Sequence, residues 1–175
     1  MFTVSFTGGH AGRSITATTE IWFNQSWHSS TDLPTATFSH CLVELNSTHV
    51  FLTGGHTGSA YSTSCYIFSE EKGFVKQENM ITARGYHGCS LHSDSLIFVA
   101  GGYGSSALKK TEYFSLLTRK WLPGPDLPVS TYGGKMLSIN GKTIYIGGYG
   151  NKKIYELEKL DFLLLTGGNG LRLGR

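Results

Sequence analysis

LIFVAGGYG, residues 96–104, is the stretch that decides the fold, because an apolar run closed by two glycines recurs along the whole chain. The second glycine of each pair stands at position 9, 55, 102 or 148, so the copies are separated by 46, 47 and 46 residues. A fixed period of this length is the sequence signature of a repeat architecture. The four glycine pairs are Gly8 and Gly9, Gly54 and Gly55, Gly101 and Gly102, and Gly147 and Gly148.

Each period continues in the same order after its glycine pair. A short aromatic or β-branched run follows, which contains Tyr66 in the second copy and Tyr113 in the third. A large ring comes next, Trp27 in the first copy and Trp121 in the third. Short strands at even spacing, with glycine and aromatic landmarks in each copy, predict the four-stranded antiparallel blades of a β-propeller. The repeats are expected at about residues 1–38, 39–85, 86–132 and 133–165, with a tail at 166–175.

Two packing expectations follow from this repeat. A glycine pair after a buried strand lets the chain turn sharply where neighbouring blades crowd together, and a side chain at that place would clash. Tyr113 and Trp121 are eight residues apart across a tight connection, so we expect them to pack against each other across two strands of one blade.

The third copy, IFVAGGYGSSALKKTEYFSLLTRKWLPGPDLP, resembles the kelch repeat. The resemblance covers about residues 2–157 and implies an all-β, kelch-type propeller. Kelch propellers usually have six blades, whereas this chain has about four repeats, so the resemblance implies an incomplete ring. The first copy lacks its first strand, and residues 162–165 are a candidate for the last strand of the fourth. We therefore expect self-association that completes the propeller.

Composition bounds the classes of partner. The chain carries 15 Lys and Arg against 12 Asp and Glu, a net charge of +3, and charged residues make up only 15% of it, compared with about 25% in a typical protein. This balance argues against nucleic acid as a partner. No apolar run approaches the roughly 18 residues of a membrane span, so no membrane is expected either.

Cysteine usage favours a cytoplasmic location. The three cysteines, Cys41, Cys65 and Cys89, are an odd number scattered over strands, and we expect them to be unpaired, small, buried residues. The first residues show no basic and apolar pattern of a signal peptide. Asn24-Gln25-Ser26 and Asn46-Ser47-Thr48 fit the N-glycosylation sequon, but the sequon needs a secreted context that nothing else in the sequence supports.

The sequence offers no pattern for catalysis, metal binding or a cofactor. The chain has seven histidines, but those at equivalent positions of successive blades are spread around a ring and do not converge on one ion. No Cys-x-x-Cys or His-x-x-x-His pair supplies local metal ligands. The Gly-Gly-Tyr-Gly loops lack the following Gly-Lys-Ser/Thr of a phosphate loop and are expected to be turns. We expect no cofactor and no enzymatic activity.

Function is therefore expected in the loops, where binding residues accumulate on rigid scaffolds. The kelch resemblance implies a protein-interaction module, either the substrate-recognition part of a cullin-type ubiquitin ligase, where a BTB domain precedes the repeats, or a binder of actin or another scaffold. The alternative is an enzyme built on a kelch-type propeller, such as a copper oxidase or a sugar-binding hydrolase.

Arg84 is the first residue we expect at the binding face. It enters a blade at the place where the kelch resemblance implies an arginine presented to acidic peptides, and its planar guanidinium can hold a carboxylate bidentately. The other reading is an arginine bonded to the carbonyls of a neighbouring blade. The remaining residues expected on the same rim are Tyr61, Tyr103, Tyr132, Tyr149 and His56.

Overall fold

The structure is a computed structural model that describes residues 4–139, 142–149 and 155–157. The described residues form β-strands joined by turns and loops, with no helix among them. Within these ranges there is accordingly no helix long and apolar enough to cross a bilayer. The all-β class predicted from the repeat is confirmed.

The described residues contain fourteen strands in four antiparallel sheets, called blades 1–4 here. Blade 1 consists of β1 (Val4–Ala11), β2 (Ser14–Phe23) and β3 (Ser26–Ser29). Blade 2 consists of β4 (Cys41–Asn46), β5 (His49–Thr53), β6 (Cys65–Ser69) and β7 (Gly73–Lys76). Blade 3 consists of β8 (Gly88–Ser93), β9 (Leu96–Ala100), β10 (Thr111–Ser115) and β11 (Lys120–Pro123). Blade 4 consists of β12 (Lys135–Ile139), β13 (Lys142–Ile146) and β14 (Tyr155–Leu157).

The strand order in each blade is sequential, so that every strand pairs with its neighbour along the chain. The two inner repeats have four strands and the first has three, as the spacing of the landmarks predicts. The strand expected at residues 162–165 and the tail at 166–175 lie outside the described residues.

The core lies between successive blades. Phe51 of blade 2 packs against Phe114 and Trp121 of blade 3, with ring centroids 4.9 and 6.3 Å apart. Trp121 is consequently only 7% exposed, whereas Trp27, its equivalent in blade 1, is 49% exposed. The same landmark residue is therefore buried when another blade lies against it. A second core cluster, which includes Phe98, Met136 and Tyr145, joins blade 3 to blade 4.

The glycine pairs lie where blades approach each other most closely. Gly101 has φ +63°, and a Cβ built on it would lie 2.7 Å from the carbonyl oxygen of Thr131 at the entry to the next blade. Gly102 then donates its N–H to the same carbonyl at 2.8 Å. Gly9 and Gly55 make the equivalent bonds to Thr37 and Arg84 at 2.9 Å. The predicted clash is confirmed for Gly8, Gly54 and Gly101, where a side chain would push two blades apart, whereas a Cβ on Gly147 would meet no described atom within 4 Å.

The expected pairing of Tyr113 with Trp121 is wrong by one residue. The register places Trp121 opposite Phe114 and Leu122 opposite Tyr113. Phe114 and Trp121 face blade 2, with ring centroids 5.2 Å apart, while Tyr113 packs on the side of blade 4. A shift of one residue moves a strand residue to the other face of the sheet, and both faces of this blade are apolar.

The expectation that all three cysteines are unpaired is also wrong. Cys41 of β4 and Cys89 of β8 form a disulfide that links blades 2 and 3, with their Cα atoms 6.1 Å apart. Cys65 is free and buried, and burial raises the pKa of its thiol to about 12. The premise on which the cytoplasmic location was predicted therefore fails for two of the three cysteines.

Candidate functional site

A continuous aromatic surface lies at the end of the blades where the glycine pairs stand. It collects the residue that follows the glycine pair of blades 2, 3 and 4 and the residues that enter these blades, because the repeat brings both to the same end of each sheet. We call this surface the aromatic face. Its members are Phe38, His56, Tyr61, Tyr86, Tyr103, Tyr132 and Tyr149.

Short backbone bridges hold these residues in place. His56 pairs with Phe38 on one side and with Tyr61 on the other. Tyr132 pairs with Tyr149 in blade 4 in the same way. The bridges lie just beyond the strands of blades 2, 3 and 4, so the rings are mounted on backbone that is itself hydrogen-bonded.

The rings contact one another across blade boundaries. Tyr61 of blade 2 lies 5.7 Å from Tyr103 of blade 3, and Tyr103 lies 5.2 Å from Tyr132 of blade 4. Tyr132 continues to Tyr149 at 5.3 Å, and His56 meets Tyr61 edge to face at 4.6 Å. Centroid distances of roughly 4.5–7 Å are those of aromatic rings in direct contact. The face is therefore one connected platform that spans three blades.

Tyr86 lies on the connection from blade 2 to blade 3. Its φ is +54°, an uncommon conformation for an aromatic residue. Its N–H donates to the carbonyl of Ser39, and its carbonyl accepts from the N–H of Gly133, which are the equivalent residues of the neighbouring blades. These bonds hold the strained backbone, and the side chain is 40% exposed.

Phenol groups converge around Tyr61. Loss of water contact raises the pKa of the Tyr61 phenol, and the neighbouring phenols of Tyr86, Tyr103 and Tyr132 raise it further. The Tyr61 hydroxyl is therefore protonated at neutral pH and can donate one hydrogen bond. The edge of the face is open to solvent, since Tyr149 is 74% exposed.

Arg84 belongs to the scaffold, so its expected place on the rim requires correction. It is 0% exposed, and its guanidinium donates to the carbonyls of Gly101 and Lys110 at 2.7 and 2.8 Å and to Glu112 Oε1 at 2.6 Å. The Glu112 carboxylate also accepts the backbone N–H groups of Ile81 and Thr82. This ion pair fastens the connection between blades 2 and 3 to blade 3. The reading of Arg84 as a residue bonded to blade carbonyls describes its contacts.

The other five residues expected on the rim come together. His56, Tyr61, Tyr103, Tyr132 and Tyr149 all belong to the aromatic face, and their role in binding stays a prediction. Sequence reasoning missed Phe38 and Tyr86. The repeat contains the signal for Phe38, because it is aligned with Tyr132 at the entry of its blade.

Two histidines at the entries to blades 2 and 3 are neutral at pH 7. His40 and His87 stand at equivalent entries, and His87 shares a 2.7 Å hydrogen bond with Thr53 of blade 2. Burial lowers the pKa of His40 to about 4, and burial followed by the nearby Arg84 charge lowers that of His87 well below its ordinary value. Among residues 4–139, 142–149 and 155–157, no three His, Cys, Asp or Glu side chains are grouped as a metal site would require.

Comparison with known proteins gives matches of one kind. The family model of the Kelch motif matches residues 84–128. The chain is 24% identical over 160 residues to a protein of Caenorhabditis elegans called Kelch repeat-containing protein kel-10, an alignment that covers 85% of this chain and 28% of that protein. It is 23% identical over 124 residues to Kelch-like protein 40 of Xenopus tropicalis, with 70% of this chain and 20% of that protein covered. The chain thus spans less than a third of the length of either relative.

Proposed function

We propose that this chain is a kelch-repeat protein and a non-catalytic protein-interaction module that binds a peptide segment of its partner on the aromatic face. The observation that carries the proposal is the unbroken ring contact from Tyr61 through Tyr103 and Tyr132 to Tyr149. Four residues from three blades make one surface, and no single blade could supply it.

Tyrosine suits this task for physical reasons. Each ring offers a large apolar area while only two side-chain torsions have to be fixed on binding, and the phenol adds a hydrogen bond at its tip. Tyrosine is accordingly enriched among the residues that dominate binding energy at interfaces. The rings here are already held by the bridges and by one another, so little further ordering is needed.

The geometry of the face supports an extended segment with apolar side chains as the ligand. A cage for a cation needs space between its rings, whereas these rings touch their neighbours and leave only their outer surfaces free. An acidic peptide would need an exposed basic partner, whereas Arg84 is buried in an ion pair with Glu112. Apolar side chains can lie on the rings while the phenols donate to the carbonyls of the peptide backbone.

Selection from a random peptide library displayed on phage tests the proposal. Peptides enriched on the wild-type chain should bind the Tyr103→Ala/Tyr149→Ala variant at least tenfold more weakly. Leu117→Ala is the matched control, because Leu117 is 82% exposed in the turn between β10 and β11 at the opposite end of blade 3, and it should bind as the wild type does. If the tyrosine variant bound these peptides as tightly as the wild type, the proposal that the aromatic face is the binding surface would be wrong.

Two finer roles would use the same face. One is substrate recognition within a cullin-type ubiquitin ligase and the other is binding of actin or another scaffold, and both place the chain in the cytoplasm. Disulfides are rare there, so both roles need Cys41 and Cys89 as free thiols. Alkylation of unreduced protein from its own cells separates the cases: labelling of Cys41 and Cys89 would favour these roles, and protection of both would oppose them.

We also propose that further blades cover the outer faces of blades 1 and 4, supplied in the isolated chain by a second copy. Leu137, Ile139 and Ile146 are exposed on the side of blade 4 away from blade 3, and Trp27 is exposed on blade 1. In the interior of the chain, equivalent positions such as Val43 and Trp121 are buried between blades. Light scattering should find an associated species that Leu137→Lys converts towards monomer; a wild-type monomer would contradict self-association.

A further inference from the structure

We infer that Asn46 is an N-glycosylation site and that the chain matures in an oxidising, secretory compartment. The inference is independent of the proposed function, because it rests on the opposite end of the blades and on the disulfide. Two separate observations carry it, the conformation of one sequon and the link between Cys41 and Cys89.

The Asn46-Ser47-Thr48 sequon forms the turn between β4 and β5. All three residues are exposed at the tip of the hairpin. The side-chain oxygen of Asn46 accepts the N–H of Thr48 and also its hydroxyl, both at 2.9 Å. The hydroxyl that the sequon requires therefore lies directly against the acceptor carboxamide.

These bonds leave the reactive atom available. They engage only Oδ1 of Asn46, and the nearby His49 ring also faces that oxygen, at 3.3 Å. The Nδ2 atom, which would carry the sugar, takes no part in them. Every partner lies within three residues of Asn46, so the turn can form in a short stretch of chain without the rest of the fold.

The second sequon is built differently. Asn24 and Gln25 form the turn between β2 and β3, with φ of 50° and 61°. The hydroxyl of Ser26 contacts the carbonyl of Phe23 at 3.4 Å and the ring of His28 at 2.8 Å, and neither contact involves Asn24. The structure thus distinguishes the two sequons and assigns the modification to Asn46.

The disulfide supplies the context that the sequon lacks on its own. Bonds such as Cys41–Cys89 persist in secreted proteins and are reduced in the cytosol. N-glycosylation occurs in the same compartment. One location therefore accounts for both features.

A glycan at Asn46 is compatible with the proposed binding surface. β5 begins at the sequon hairpin and ends at the glycine pair that leads to the aromatic face, and its five residues span roughly 15 Å. The glycan would project from the opposite end of the blade, pointing away from the aromatic rings.

The reaction requires a lipid-linked oligosaccharide diphosphate as donor. The bond between the anomeric carbon of the sugar and the diphosphate oxygen breaks, and its electron pair stays with the diphosphate. A new bond forms between that carbon and Nδ2 of Asn46, and the nitrogen releases one proton to the departing diphosphate. No electrons are exchanged with an oxidant or a reductant.

The test uses the full chain isolated from the cells that make it. Peptide N-glycosidase should increase its gel mobility and convert Asn46 to aspartate in the peptide mass spectrum. Variants expressed in the same cells should separate the sequons: Asn46→Gln and Thr48→Ala lose the mobility shift, and Asn24→Gln keeps it. Preserved protection of Cys41 and Cys89 from alkylation would show that a variant without the shift is still folded.

An unmodified Asn46 in the natural protein would overturn the inference, and so would a glycan found at Asn24 but not at Asn46. Neither result would affect the peptide-binding proposal, which is tested separately with the Tyr103→Ala/Tyr149→Ala variant.

Discussion

Arg84 and Tyr86 are two residues apart on the same connection between blades, and their surroundings differ. Arg84 is 0% exposed and bonded to three groups of blade 3, whereas Tyr86 is 40% exposed and lies on the aromatic face. The connection therefore carries a buried residue bonded to the scaffold next to a residue on the proposed binding surface. Whether Arg84 or Tyr86 is accessible to a ligand depends on which side chain is buried, and their positions in the sequence do not reveal this.

The aligned entries of the other blades sharpen this comparison. Thr37 and Thr131 stand where Arg84 stands, and each donates its hydroxyl to the carbonyl of the residue after the glycine pair of its own blade, at 3.2 Å. All three residues are buried and bond to backbone carbonyls. The position is structural in each blade, although only Arg84 uses a charge for it.

The scaffold side of the comparison should give the largest effect. Arg84→Ala leaves Glu112 as a buried carboxylate without its cation, so the free energy of unfolding should fall by roughly 3–5 kcal/mol. Denaturant melts would measure the change. Arg13→Ala, which removes an exposed arginine, should leave the midpoint nearly unchanged, and a similar small effect at Arg84 would break the distinction drawn here.

Low pH should reduce the stability of the protein through the histidines at the same blade entries. The folded pKa of His40 is about 4, below its ordinary value of 6.5, and that of His87 is lowered too. The unfolded chain then binds more protons, so stability is fully present above about pH 6.5 and is lost as the pH falls towards 4, by roughly 3 kcal/mol for His40. His40→Asn should flatten that part of a stability-against-pH curve, and a curve of unchanged slope would contradict the assignment.

Glycine substitutions should give a smaller effect that isolates the contact between blades. Gly101 and Gly12 both have φ +63°, but a Cβ on Gly12 meets nothing within 4 Å. Both substitutions place a side chain at a strained φ, which costs roughly 1–3 kcal/mol, and Gly101→Ala should cost more than Gly12→Ala because its Cβ also meets the Thr131 carbonyl. Equal costs in thermal or chemical melts would mean that the glycine pair serves only the turn.

The repeat explains why most of the fold and much of the aromatic face could be predicted. A period in the sequence places equivalent residues at the same end of every blade, so Tyr103 and Tyr149 had to lie on one rim. Other features depend on contacts between periods. Glu112 is 28 residues from Arg84, and Cys41 and Cys89 bond across two blades. The predicted pairing of Trp121 with Tyr113 was wrong by one residue, because both faces of the strand are apolar and the sequence pattern does not distinguish them.

The most direct measurement of the central claim compares stability and binding in a single variant, Tyr86→Ala. The aromatic face predicts that a library-selected peptide binds this variant at least tenfold more weakly, while its free energy of unfolding changes by less than about 1 kcal/mol, as for most surface substitutions. Calorimetric melting and peptide titration of the same sample give both numbers. A large loss of stability with unchanged peptide affinity would contradict the account, because it would place Tyr86 in the scaffold with Arg84.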